Sequence, residues 1–85
     1  MVLVTVYTKT GCHLCERVLQ QVESVRERIA FDFEKIDIRS DPDLIAEYGF
    51  DIPVVLIDRK PQFTHFLNVA QFESRLKELI QADEN

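Results

Sequence analysis

Cys12 and Cys15 are the two cysteines of this chain, and they share one motif, Cys12-His13-Leu14-Cys15. Thiols three positions apart at a helix start can close a disulfide. The free backbone N–H groups of a first helical turn, and the positive end of the helix dipole, favour an anion there. A thiolate is that anion, and the thiolate is the form that attacks disulfide sulfur. The pattern therefore points to thiol–disulfide exchange. Cys12 attacks a disulfide and is held as a mixed disulfide. Cys15, one turn later and less exposed, attacks the Cys12 sulfur and releases the reduced substrate. A Cys-x-x-Cys beside a βαβ pattern is the specific form of this signal.

Other chemistries use the same residues. A structural zinc needs about four ligands. His13 and His65 are the two histidines, and His13 inside the motif is badly placed to join its neighbours. No metal site within the chain is expected. Two chains sharing an iron–sulfur cluster or other soft metal through Cys12 is a separate, non-enzymatic alternative. His13 has two readings: a cation that stabilises the Cys12 thiolate, or an exposed helix-start residue. Lys9 either adds positive potential near Cys12 or is a solvated lysine in a turn.

The elements that would position these groups follow from periodicity. Val2 to Tyr7 is apolar on both faces and predicts a buried strand. A polar turn, Thr8 to Gly11, leads into a helix from about Cys12 to Ile29, with Leu14, Val18, Val22, Val25 and Ile29 as its apolar stripe. Phe31 to Ile38 predicts a second strand whose period slips, through a bulge or burial on both faces. Asp41 and Pro42 start a short helix to Tyr48, with Gly49 as a left-handed terminator and Phe50 as its apolar contact. Ile52 to Ile57 predicts a third strand, opened by Pro53. Asp58 to Pro61 is a turn, and Gln62 to Leu67 the returning strand. Asn68 caps a last helix whose apolar face is Val69, Phe72, Leu76, Leu79 and Ile80, with fraying from Ala82. Phe63, Phe66 and Phe72 are assigned to the core, and His65 to solvent or the hairpin edge. The first βαβ unit requires a parallel pair, and the hairpin adds antiparallel strands. The outcome is one α/β domain, residues 1–85, with a mixed four-stranded sheet.

Bulk properties narrow the function. The chain has 85 residues, 46% hydrophobic and 29% charged, which suits one small core. Its net charge is −5, with no basic cluster, so nucleic acid and anionic membranes are poor partners. No apolar run approaches the length of a membrane span. The first residues lack the pattern of a signal peptide. The cytoplasm is the expected compartment, and a monomer the expected state.

The segment Tyr7-Thr8-Lys9-x-x-Cys12-x-x-Cys15-x-Arg17, on a strand–helix junction, resembles the active-site segment of glutaredoxins. Ile52-Pro53-Val54 resembles their proline segment. The likeness covers roughly Met1 to Asp58. His13-Leu14 stands where glutaredoxins usually carry Pro-Tyr, and is similar to small bacterial glutaredoxin-like proteins with a Cys-His-Leu-Cys motif. The resemblance implies a thioredoxin-like fold of the glutaredoxin type, βαβαββα, with three helices flanking the sheet. It implies a thiol–disulfide oxidoreductase with Cys12 as nucleophile and Cys15 as resolving thiol. It also implies that Lys9 contacts the glycyl carboxylate of glutathione. From its residues alone Pro53 is a strand-opening proline, normally trans; the resemblance implies a cis bond facing the cysteines, with Ile52 N–H and C=O pairing with substrate backbone.

Glutaredoxins usually carry Gly-Gly after the last strand and an acidic pair beyond it, which help hold the glutamyl end of glutathione. Thr64-His65-Phe66-Leu67-Asn68 stands in that region here. An exposed Phe66 there would block glutathione. The expected partners are a disulfide-containing protein or a glutathione mixed disulfide, with a reductase to complete the cycle. No bound cofactor is expected; glutathione is a candidate co-substrate. A thioredoxin-like reductase of protein disulfides, working without glutathione, is the second enzymatic reading.

Overall fold

A computed structural model of the chain describes residues 1–84. The elements are β1 (Leu3–Thr8), α1 (His13–Arg26), β2 (Asp32–Asp37), a 3-10 turn (Ile38–Ser40), α2 (Pro42–Tyr48), β3 (Val54–Ile57), β4 (Lys60–Thr64) and α3 (Val69–Glu84). The sheet order is β2-β1-β3-β4. β1 and β2 run parallel, from Leu3 opposite Asp32 to Thr8 opposite Asp37, so α1 is their crossover. β3 is antiparallel to β1, and β4 to β3. This is the mixed sheet with three helices that the periodicity predicts.

Helices cover both faces, which is why the inner strands read as apolar on both sides. On one face Val4, Val6, Val55 and Ile57 meet Val18, Val22 and Val25 of α1, and Phe72 and Leu76 of α3. Phe31 and Phe63 meet the Phe72 ring edge-on at 6.1 and 6.2 Å between centroids. On the other face Ile38, Ile52, Val54 and Leu56 pack with Cys15, and with Leu44 and Tyr48 of α2. The period slip near β2 now has its cause. Its pairing with β1 is unbroken, so no bulge is present. Phe31 and Phe33 serve the first cluster and Ile38 the second.

Several expected details change. Leu14 is 41% exposed, and its neighbour Cys15 points inward instead. The helix ends at Arg26, before Ile29. α2 has the expected bounds and the expected Asp41 cap, whose side chain accepts the Asp43 N–H. Gly49, however, is right-handed (φ −55°, ψ −30°). A Cβ at that residue would come within 2.5 Å of the Ile45 carbonyl oxygen, so clearance rather than handedness calls for glycine. Phe50 is 98% exposed, so it is not the buried apolar contact expected after the helix. β3 begins at Val54, leaving Ile52 and Pro53 in the preceding loop.

The β3–β4 hairpin turns on Asp58 and Arg59, with φ of 48° and 70°. Two positive φ values in a two-residue loop match the turn whose twist suits a hairpin. The Asp58 carboxylate accepts the Leu3 N–H at 2.9 Å and so ties this turn to the start of β1. A register shift between Val55 and Leu56 leaves Gln62 as an extra residue in β4. β4 stops at Thr64, and Phe66, expected in the core, is 70% exposed. Asn68 caps α3 as expected, its side chain accepting the Gln71 N–H at 3.1 Å. α3 stays helical through Glu84, beyond the point where fraying is expected. Asn85 lies outside the described residues. An Arg28–Glu73 ion pair links the turn after α1 to α3.

Candidate active site

β1 ends at Thr8, and four residues return the chain to α1. Gly11 takes φ +81°, a left-handed conformation that glycine adopts without cost from a Cβ. Cys12 is the N-cap of α1, with extended backbone (φ −98°, ψ 108°). Its Sγ accepts the Cys15 N–H at 3.2 Å, and its carbonyl accepts the Glu16 N–H at 3.1 Å. The sulfur therefore occupies the place where a capping oxygen usually satisfies a free donor. Cys12 and Cys15 are bonded as a disulfide, with their Cα atoms 5.2 Å apart. Cys15 is fully buried and Cys12 half-buried, so Cys12 is the accessible sulfur.

The loop before Cys12 is held by a network that periodicity does not reveal. Arg39 donates to Thr10 Oγ1 at 2.7 Å and to the Asp37 carboxylate through its backbone N–H and its guanidinium. The hydrogen bonds from Arg39 lower the Asp37 pKa to about 2. This exposed cluster joins the ends of β1 and β2 beside the Cys12 turn. Its only trace in the sequence is Asp37-x-Arg39, a spacing too common on surfaces to single out.

The other expected site residues divide into two groups. Lys9 is exposed on the turn, beside Thr10 and Gly11. The His13 side chain is 98% exposed and turns toward Glu16, with Nδ1 3.9 Å from its carboxylate. Among the described residues neither Lys9 nor His13 bonds to a cysteine sulfur. Ile52 is buried in the same cluster as Cys15, with Cys12 packed against it. The Ile52–Pro53 bond is cis, as the resemblance implies. The loop carrying them is held by His65, whose backbone N–H donates to Pro53 O at 2.8 Å and whose Nε2 lies 3.0 Å from Phe50 O. Among the described residues no backbone partner meets Ile52 N–H or C=O.

Beside the cysteines runs an open groove whose walls include Leu14, Arg17, His65 and Phe66. Leu14 and Phe66 are its exposed apolar rims. Among the described residues no group of three or more His, Cys, Asp or Glu side chains gathers as a metal site would need. No helix among them is long and apolar enough to cross a membrane.

Comparison with known proteins agrees with this geometry. An uncharacterized protein of Mycobacterium tuberculosis is 37% identical over 60 residues, covering 65% of this chain and 62% of that protein. The chain thus spans less than two thirds of the length of the curated relatives it matches. The solution structure of protein Ne2328 from Nitrosomonas europaea superposes with a TM-score of 0.77 at 25% identity, covering 87% of this chain and 89% of that one. An N21Q mutant thioredoxin from Halobacterium salinarum superposes with a TM-score of 0.68 at 17% identity, covering 91% and 73%. That likeness establishes a thioredoxin fold. Residues 3–77, which carry the cysteine pair, the Ile52–Pro53 loop and most of the sheet and helices, match the family described as Glutaredoxin-like domain (DUF836). A cysteine pair at a helix start, a cis-proline loop packed on it and this sheet order come together because the chain is a member of that glutaredoxin-like family.

Proposed function

We propose that the protein is a thiol–disulfide oxidoreductase, with Cys12 as nucleophile and Cys15 as resolving thiol. The observation that carries this reading is the asymmetry of the pair. The Cys12 sulfur is accessible and accepts a backbone N–H of the first helical turn, whereas Cys15 is fully buried. In the reduced protein the same donors stabilise a Cys12 thiolate. That thiolate attacks one sulfur of a substrate disulfide. The Cys12–substrate bond forms, and the other substrate sulfur leaves as a thiolate. The Cys15 thiolate, after losing its proton to solvent, then attacks Cys12 Sγ. The Cys12–Cys15 bond forms and the second substrate thiolate leaves. Two electrons have passed from the dithiol to the substrate, and a reductase returns them.

Ile52 supports the substrate side of this scheme. Its N–H and C=O, without a backbone partner among the described residues and next to the cysteines, suit strand-like pairing with a polypeptide backbone. Lys9 and His13 are exposed residues close to Cys12 in sequence, where Lys9 would add positive potential. A monomer in a reducing cytoplasm suits such a cycle.

A second reading concerns the substrate, and one observation favours it. Phe66 stands in the segment where glutaredoxins usually carry Gly-Gly, and the residue is largely exposed. This supports protein disulfides, rather than glutathione mixed disulfides, as the substrate class. The exchange assignment is tested with a model disulfide. Cys12→Ser should abolish exchange, while Cys15→Ser should trap the mixed disulfide. Full activity in Cys12→Ser would overturn the assignment.

A further inference from the structure

His65 is the central residue of a turn that joins the sheet to the wall facing the cysteines. It has φ +67°, uncommon for a residue with a Cβ. The Phe66 N–H donates to Thr64 O at 2.7 Å across it, which makes a γ-turn of the rare positive-φ kind. Such a conformation persists when surrounding contacts over-determine it, and it clusters at functional sites. The contacts here are specific. The His65 backbone N–H bonds to Pro53 O, and its Nε2 meets Phe50 O. Phe50 O accepts, so Nε2 carries the proton. One residue thus grips both ends of the four-residue segment 50–53. Ile52, inside that segment, has no backbone partner among the described residues for its N–H and C=O, which lie beside the cysteines.

We propose that His65 is a positioning residue that fixes the Ile52 backbone for pairing with a polypeptide substrate. The proposal rests on the exchange reading above and deepens it: the substrate engaged is an extended polypeptide disulfide. The imidazole supplies the second of two grips. Without it Phe50 O loses its partner, only the grip at Pro53 remains of the two from His65, and the Ile52 edge is less narrowly placed before substrate arrives. That loss falls on binding rather than on sulfur chemistry, because among the described residues no hydrogen bond joins His65 to either cysteine.

The test is single-turnover oxidation of the reduced protein by rising concentrations of insulin. His65→Phe keeps ring bulk and removes the donor, and His65→Gln returns an amide N–H to the region of Nε2. His65→Phe should raise the half-saturating insulin concentration roughly five- to tenfold, the scale of one lost hydrogen bond and looser ordering, with the limiting rate little changed. His65→Gln should restore most of it. Alkylation of Cys12 by iodoacetamide should be equal in all three. Hydrogen exchange at the Asp51 amide, which bonds to Tyr48 O, should quicken in His65→Phe. If His65→Phe does not fold, His65→Ala makes the same comparison with His65→Gln. Equal half-saturation in all folded proteins would overturn the clamp and leave the exchange reading intact. A wild-type protein that insulin cannot oxidise would overturn both.

Discussion

The two rims of the candidate active site are built differently. On the Cys12 side, a strand end, a glycine turn and a helix start place the sulfur with local devices that leave clear marks in the sequence. On the opposite side, from Thr64 to Asn68, the chain leaves the sheet through a positive-φ histidine and sends Phe66 outward. The first rim resembles the glutaredoxin pattern in Tyr7, Thr8, Lys9, Cys12, Cys15 and Arg17, and departs from it at His13-Leu14. The second carries the larger departure. Under the proposed function, reaction and recognition are separable: backbone geometry at one rim would set the sulfur chemistry, and side chains at the other the choice of substrate.

The largest effect should come from the core that joins the two rims. Phe72 is fully buried, and its ring meets Phe31 before β2 and Phe63 in β4. Phe72→Ala should destabilise the fold by about 3–5 kcal/mol in urea unfolding. For a domain this small that approaches the whole stability. An unchanged midpoint would mean that α3 and the second rim are not part of the common core.

A smaller change should sharpen the contrast itself. Phe66→Gly removes an exposed ring and leaves the sulfur rim untouched. Half-saturation with insulin should rise roughly tenfold if Phe66 is a docking contact. Exchange with a glutathione mixed disulfide should quicken by a few-fold as space opens. Iodoacetamide trapping of Cys12 should stay at the wild-type rate. Loss of glutathione exchange in this variant would reverse the assignment of the second rim.

The smallest effect lies at the network behind the first rim. The Asp37 pKa falls from 3.8 to about 2 in the folded protein, chiefly through hydrogen bonds from Arg39. A depressed carboxylate contributes its stabilisation fully above the unfolded value and loses it as the pH falls through the folded value. The Thr10–Arg39–Asp37 link should therefore be intact above about pH 4 and dissolve toward pH 2. An NMR titration of the Asp37 carboxyl carbon reports this directly. A midpoint near 3.8 would remove Arg39 as its partner.

Much of the fold is legible because its signals are local. Asp41-Pro42 marks the start of α2, and Asn68 that of α3, because a cap is a short-range hydrogen bond. Val18, Val22 and Val25 mark one helical face because burial follows the 3.6-residue period. The same rule misplaces Leu14. At a helix start beside a reactive pair, the inward position goes to Cys15. It also misplaces Phe66, whose direction depends on the conformation of the residue before it. His65 adopts positive φ through contacts with Pro53 and Phe50, more than ten positions away, and no local pattern encodes that. Asp37, Arg39 and Thr10 escape notice for the same reason: one partner lies in a loop 29 residues from the other.

The sheet's outer strands differ from its inner ones in a way that bears on self-association. In a two-residue hairpin Ile57 and Lys60 form the closing hydrogen-bonded pair, so the nitrogen of Pro61 faces away from β3. That nitrogen carries no hydrogen, and the extra residue Gln62 follows it. The free border of β4 is thus both short of a donor and out of step for a flat incoming strand. β2, the other border, lays Asp32, Glu34, Lys35 and Asp37 along its length. Both borders discourage edge-to-edge stacking of copies into aggregates. An incoming polypeptide meets charged side chains along one flank of the sheet and a missing donor along the other, whereas Ile52 offers an open backbone pair among the described residues.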